Sequence, residues 1–155
     1  MLQPLPKIPD GLLDLMAQIG PAWTTNRANN IQTMLNRFSE VLKAMPRDNI
    51  EVRCDIAYGT HPRQKFDLYL PGGHTTKRSI VVFVHGGAFM DGHRNRTDEI
   101  YSNVAYYLAR NGVAAINIGY RLGNDAPAFF RNSSEFFASS CLPFSTSMET
   151  SPSAC

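Results

Sequence analysis

The chain has no long hydrophobic run: nothing in its 155 residues approaches the roughly 18 apolar positions that a membrane-spanning helix requires. It also lacks an excess of charge of one sign, since 15 basic and 13 acidic residues leave a net charge of +2. That balance argues against nucleic acid or an anionic membrane as the principal partner. Residues 1–20 contain no basic stretch followed by an apolar one, and Pro4, Pro6 and Pro9 interrupt the segment, so no secretory signal is read there. Only three cysteines occur, Cys54, Cys141 and Cys155, and they are widely scattered. The expectation is free thiols in a reducing, cytoplasmic compartment, not a disulfide framework or a zinc site. With no secretory signal read, the two glycosylation sequons, Asn95-Arg96-Thr97 and Asn132-Ser133-Ser134, are taken as chance matches. There is no Gly-x-Gly-x-x-Gly, no Gly-Lys-Ser/Thr, and no group of carboxylates and histidines at metal-ligand spacing. Neither a nucleotide, another cofactor nor a metal is therefore expected.

What the chain does have is a strand that runs into a glycine pair. Ile80 to Val84 is apolar throughout and mostly β-branched, which suits a strand buried on both faces. His85-Gly86-Gly87-Ala88-Phe89 comes immediately after it, and the glycines strip side chains from the backbone where the strand ends. Bare main chain lets another molecule approach and leaves N–H groups free to face it, which is what stabilising a developing oxyanion requires.

The surrounding pattern is α/β in class. Residues 1–9 read as a proline-spaced leader. Asp10 is placed to cap a short helix to about Ile19, ended by Gly20-Pro21. Over about 27–45, Ile31, Met34, Leu35, Phe38, Val41, Leu42 and Met45 recur at helical spacing until Pro46. That face fits either core packing or a lid. Ile50, Val52, Cys54, Ile56 and Tyr58 alternate as a first strand, Thr60 to Arg63 make a turn, and Phe66, Leu68 and Leu70 alternate in a second. After the third strand, Thr97 is a candidate N-cap, and Ile100, Val104, Tyr107 and Leu108 share one helical face closed by Asn111-Gly112. Val113 to Ile118 is a fourth strand. A hairpin and then a helical crossover give a mostly parallel sheet.

His85-Gly86-Gly87-Ala88-Phe89 resembles the oxyanion motif of α/β-hydrolase esterases of the hormone-sensitive-lipase and carboxylesterase type. The stretch from Tyr58-Gly59 to Phe66-Asp67-Leu68-Tyr69-Leu70-Pro71 resembles that family's first hairpin. Val113 to Tyr120-Arg121-Leu122 resembles its fourth strand and the Tyr-Arg-Leu beyond it. The resemblance spans about Ile50 to Pro127, and the expected fold is a truncated α/β-hydrolase: residues 1–48 a cap-like helical segment, 49–127 the first half of the hydrolase domain, and 128–155 an irregular tail outside the family pattern. It implies a serine carboxylic-ester hydrolase acting on a small-molecule ester, with an amide or formamide hydrolase of the same fold as the alternative. Gly86, Gly87 and Ala88 would supply the oxyanion N–H groups, and His85 would orient their loop by hydrogen bonding, against the plainer reading of a packed core histidine.

The rest of the chemistry is missing. Such an enzyme needs a serine on a Gly-x-Ser-x-Gly turn, with a histidine base and an acid. None of the eleven serines has that setting. The resemblance would put the turn roughly seventy to eighty residues after His85, at or beyond Cys155. From about Ala128 the texture changes: eight of the eleven serines lie between Ser133 and Ser153, there is no valine, isoleucine or lysine, and no strand or helix period persists past Phe137. A reading-frame change or alternative terminus accounts for this, and a divergent tail is the other account. No nucleophile, acid or base is therefore assigned, and the 155 residues are expected to be inactive as esterase. His61, His74 and His93 read as solvated loop residues, Arg94 and Arg96 as a solvated basic cluster or a contact for an acidic substrate group, and Asp55 and Asp67 as exposed strand residues. Cys141 and Cys155 lack a setting that would activate a thiolate. A second possibility, from a different class, is a non-catalytic interaction module that self-associates through an open sheet edge at the fourth strand.

Overall fold

The structure is a computed structural model and describes residues 8–73, 79–123 and 125; His74, Cys141, Cys155 and the expected tail lie outside the described residues. Two helices come first, α1 (Leu12–Ile19) and α2 (Arg27–Lys43). Gly11, not Asp10, takes the cap position of α1, with φ 81° and no capping side chain. On α2 the apolar positions Ile31, Met34, Leu35, Phe38, Val41 and Leu42 are half-buried. Buried Asn30 ties the helix to its own entry, its Nδ2 donating to Ala22 O (2.9 Å) and Trp23 O (3.3 Å). Ser39 Oγ lies 3.0 Å from Thr97 Oγ1, linking α2 to the segment ahead of the third helix.

The sheet begins with the hairpin β1 (Ile50–Ala57) and β2 (Lys65–Pro71), antiparallel from Ile50↔Pro71 to Ala57↔Lys65. The register slips between Arg53 and Ile56, where Asp55 takes φ 59°. That is a bulge at a residue type that tolerates left-handed backbone. Next come β3 (Ile80–Val84), α3 (Ser102–Arg110) and β4 (Ala114–Ile118). The spatial order is β1-β2-β4-β3, with β4 antiparallel to β2 and parallel to β3. A parallel neighbour requires a crossover, which α3 provides. Its end shows why Asn111-Gly112 stops it: Gly112 has φ 82°, its N–H donates to Ala109 O, and Val113 N–H donates to Leu108 O, both at 3.0 Å. Thr97 does not cap α3. Its Oγ1 accepts from Glu99 N (3.2 Å) and Ile100 N (3.0 Å), closing the turn just upstream.

The two faces of the sheet are covered differently. On one, Ala105 and Ala109 of α3 sit four residues apart and press against Tyr69 and Ala115, with Ile50, Val52, Tyr106 and Leu108 around them. Small side chains on the helix let it lie close to the strands. On the other, Tyr58 and Ile118 form a second cluster with Phe66 and Ile116.

Three expectations change. β3 is not buried on both faces: Ile80, Val81, Val82 and Val84 are 39–60% exposed, because β3 is an edge strand here. Its apolar, β-branched composition suits an interior strand, but in the sheet only β4 pairs with it among the described residues. For the same reason the open edge lies at β3 and not at the fourth strand, which β2 and β3 enclose. Finally, Cys54 is disulfide-bonded and is not the free thiol expected. Among the described residues no helix is long and apolar enough to cross a membrane.

Candidate active site

The parallel pairing of β3 with β4 brings their C-terminal ends together at Val84↔Ile118. The chain leaves β3 through His85 and returns past Arg94, while β4 continues into Gly119-Tyr120. His85 is 2% exposed, and its ring stacks on Tyr120 with 4.2 Å between centroids and 13° between planes. The Tyr120 hydroxyl donates to His85 O at 2.7 Å. His85 Nδ1 lies 2.8 Å from Gly86 O. A carbonyl oxygen can only accept, so Nδ1 carries the hydrogen and Nε2 is left as an acceptor. Nε2 is buried without a hydrogen-bond partner. Burial pushes the His85 pKa below its ordinary value, with help from His93 and Arg63; the Gly86 carbonyl and Asp91 pull the other way. The ring is therefore neutral near pH 7. Burial likewise raises the Tyr120 pKa, keeping its hydroxyl a donor.

The glycine loop itself is a tight, left-handed turn. Gly87 O accepts from Met90 N and Asp91 N, both at 3.0 Å. Gly87, Ala88, Phe89 and Gly92 all have positive φ, at 126°, 52°, 60° and 104°. Only glycine fits at Gly87, where a Cβ would overlap the Asp91 carbonyl, and at Gly92, where it would meet Gly86 O and His85 Nδ1. Gly86 is different: a Cβ there would meet nothing within 4 Å, so this stretch of backbone faces open space. Among the described residues the N–H groups of Gly86, Gly87 and Ala88 make no hydrogen bond. Arg63, from the β1–β2 turn, donates from Nη1 to Gly92 O at 2.9 Å, and Gly123 N donates to Phe89 O at 2.6 Å.

Several residues are not where the sequence suggests. Arg94 is 7% exposed and paired with carboxylates, not a solvated loop cation. Asp67 is 1% exposed and accepts from Arg94 Nε at 3.0 Å. The alternation of Phe66, Leu68 and Leu70 puts Asp67 on the opposite face. That face is not open to solvent, because α3 and residues 94–95 cover it. Asp55 stays half-exposed on its bulge and meets Arg94 Nη2. His61 is not simply solvated: its Nε2 is 3.7 Å from Asp125 Oδ2 and its Nδ1 accepts from Arg63 N at 3.2 Å. His93 and Arg96 are exposed, as expected. A cavity of about 570 Å³ opens beside Arg94, Asp55 and Glu99, and residues 85–92 do not line it. Among the described residues no three His, Cys, Asp or Glu side chains are gathered as a metal set.

Comparison with known proteins points the same way as the loop. The BD-FAE family matches residues 66–131. The isoprenylcysteine alpha-carbonyl methylesterase ICME of Arabidopsis thaliana is 46% identical over 44 residues, 28% of this chain and 10% of that protein. A probable isoprenylcysteine alpha-carbonyl methylesterase, ICMEL1, of Oryza sativa is 32% identical over 71 residues, 46% of this chain and 16% of that protein. Among solved structures, an inhibited esterase B from Lactobacillus rhamnosis superposes with a TM-score of 0.53 at 25% identity, covering 81% of this chain and 38% of that one. A second structure of esterase B from Lactobacillus rhamnosis gives 0.52 at 24% identity, covering 82% of this chain and 38% of that one. The chain thus spans 10–16% of these curated relatives and 38% of the structural ones. The fold is α/β-hydrolase in part, and the likeness is to esterases of that fold.

Proposed function

We propose that this chain is the first part of an α/β-hydrolase that cleaves carboxylic esters of small molecules through a serine acyl-enzyme. Residues 1–48 form its cap-like segment, 49–127 the first half of the catalytic domain, and 128–155 a tail outside the family pattern. Gly86 and Gly87, with Ala88, hold the developing oxyanion, and His85 orients their loop. The observation that carries this reading is the group of unbonded N–H groups on a loop clamped at both flanks, with open space over Gly86. Fixed donors aimed at a developing negative charge need no reorganisation during reaction, and losing one typically costs about 2.7–4 kcal/mol of transition-state stabilisation.

These donors cannot act alone. Without a nucleophile no acyl-enzyme forms, and the 155 residues contain no Gly-x-Ser-x-Gly. The chain by itself is therefore proposed to have negligible ester turnover. The test is to resequence the coding DNA from codon 120 through several hundred bases beyond the stop and translate all forward frames. A frame that restores the serine turn, an acid and a histidine supplies the protein to assay on carboxylic esters, methyl esters included, and on formamides. Ester turnover blocked by a serine-directed phosphonate supports the reading, and preference for formamides moves it to the amide alternative. If no frame carries those residues, the hydrolase reading describes ancestry alone.

One observation favours a second reading. The open edge of β3, with Ile80, Val81, Val82 and Val84 exposed, suits an interaction module that pairs with another copy.

A further inference from the structure

The glycine loop is held at its start by Tyr120 and at Gly92 by Arg63. At its end it is held by charge buried in the sheet. Asp67 on β2 and Asn117 on β4 are register partners. They are 1% and 0% exposed. Asp67 Oδ1 accepts from Asp55 N at 2.9 Å. Its Oδ2 accepts from Arg94 Nε at 3.0 Å and from Asn95 Nδ2 at 3.1 Å. Asn117 Nδ2 donates to Arg94 O at 2.6 Å and to Asn95 Oδ1 at 3.1 Å. Two neighbouring strands therefore grip the same two loop residues, one through their side chains and the other through a main-chain carbonyl and an amide.

A buried ion pair is a poor source of stability, because desolvation offsets its attraction and an apolar pair of similar volume often serves as well. What a guanidinium held by a carboxylate does provide is direction. Direction is what this loop needs. Ala88 and Phe89 are non-glycine residues with positive φ, and such backbone persists only where its surroundings over-determine it.

We infer that Asp67, acting through Arg94 and Asn95 and backed by Asn117, is a positioning residue for the glycine loop, fixing how the N–H groups of Gly86 and Gly87 are presented. The consequence for catalysis rests on the oxyanion role proposed above; the grip does not.

The test uses the full 155-residue chain, with amide hydrogen exchange and chemical shifts read by NMR for the parent, Asp67→Asn, Arg94→Lys and Asn95→Ala. In Asp67→Asn the side-chain amide that replaces Oδ2 turns donors toward donors. Exchange at Met90 and Asp91, whose N–H groups bond Gly87 O, is expected to rise about tenfold or more relative to the β1–β2 ladder. The Gly86 and Gly87 amide shifts should move with it, and Arg94→Lys and Asn95→Ala should give smaller changes of the same kind. Equal acceleration of loop and ladder, or loop amides that do not respond, would overturn the inference. Should Asp67→Asn not fold, the two milder variants decide by the same comparison. None of this reads ester turnover. A loop released in Asp67→Asn stands even if the completed protein hydrolyses no ester, and an unresponsive loop leaves the oxyanion reading untouched.

Discussion

Tyr120 holds His85 twice: the two rings stack at 4.2 Å, and the Tyr120 hydroxyl donates to the His85 carbonyl at 2.7 Å. A residue just past β4 thereby fixes the point where the chain turns out of β3 into the glycine loop. The two attachments can be separated. Tyr120→Phe keeps the stack and leaves the carbonyl of a buried residue without its donor, which should cost about 1–3 kcal/mol. Tyr120→Ala removes the ring as well and should cost about 3–5 kcal/mol, as for other buried aromatics. Urea unfolding checks both, through a lower midpoint at unchanged slope. Equal midpoints for Tyr120→Phe and the parent would mean that the hydroxyl contributes nothing.

The neutral state of His85 gives stability a pH dependence of known sign. Its folded pKa lies below the ordinary 6.5, so between those two values the unfolded chain binds more protons than the folded one. Stability from this group is then complete above about pH 6.5 and declines as the pH falls toward the folded pKa. Protonation would also place a hydrogen on Nε2, which is buried without a partner. Between about pH 7.5 and 5.5 the unfolding free energy should drop for the parent and drop less for His85→Gln. Identical pH slopes in the two proteins would remove His85 as the cause.

Gly86 and Gly87 should respond differently to the same substitution. At Gly87 a methyl group meets the Asp91 carbonyl and the backbone has φ 126°, so Gly87→Ala should lose on the order of 1–3 kcal/mol. At Gly86 nothing lies within 4 Å, and Gly86→Ala should stay within about 0.5 kcal/mol of the parent. Thermal or urea unfolding of the pair reads the contrast.

Local signals carry the elements, and long-range arrangement escapes them. The spacing from Ile31 to Leu42 marks α2, Asn111-Gly112 marks the end of α3, and the β-branched run marks β3. Each depends on residues within a few positions of one another. Strand order does not: that β4 inserts between β2 and β3 is set by how α3 carries the chain across the sheet, and no local pattern near Ile80 records it. Hence β3 reads as interior and is an edge. Asp67 escapes for a related reason. Alternation places it opposite Phe66 and Leu68, but whether that opposite face meets water or Arg94, 27 residues later, is a tertiary fact. The glycine loop is legible because its function, if it is an oxyanion site, is written in consecutive residues.

The edge of β3 tests the interaction-module reading directly. An open strand pairs readily when its side chains are apolar, and natural proteins blunt such edges with lysine. Val82 is central in β3 and 39% exposed, and it faces Ile116 across the one ladder that β3 makes among the described residues. A lysine there can carry its charge into solvent along its aliphatic stem while keeping the ladder to β4. If chains pair through β3, sedimentation should show the parent associating with rising concentration and Val82→Lys shifted toward monomer, with the far-ultraviolet circular dichroism of the two unchanged. A parent that stays monomeric at every concentration has no use for the edge as a contact. Association that survives Val82→Lys belongs to another surface, and exposed Leu13 and Met16 on α1 would be the next to substitute.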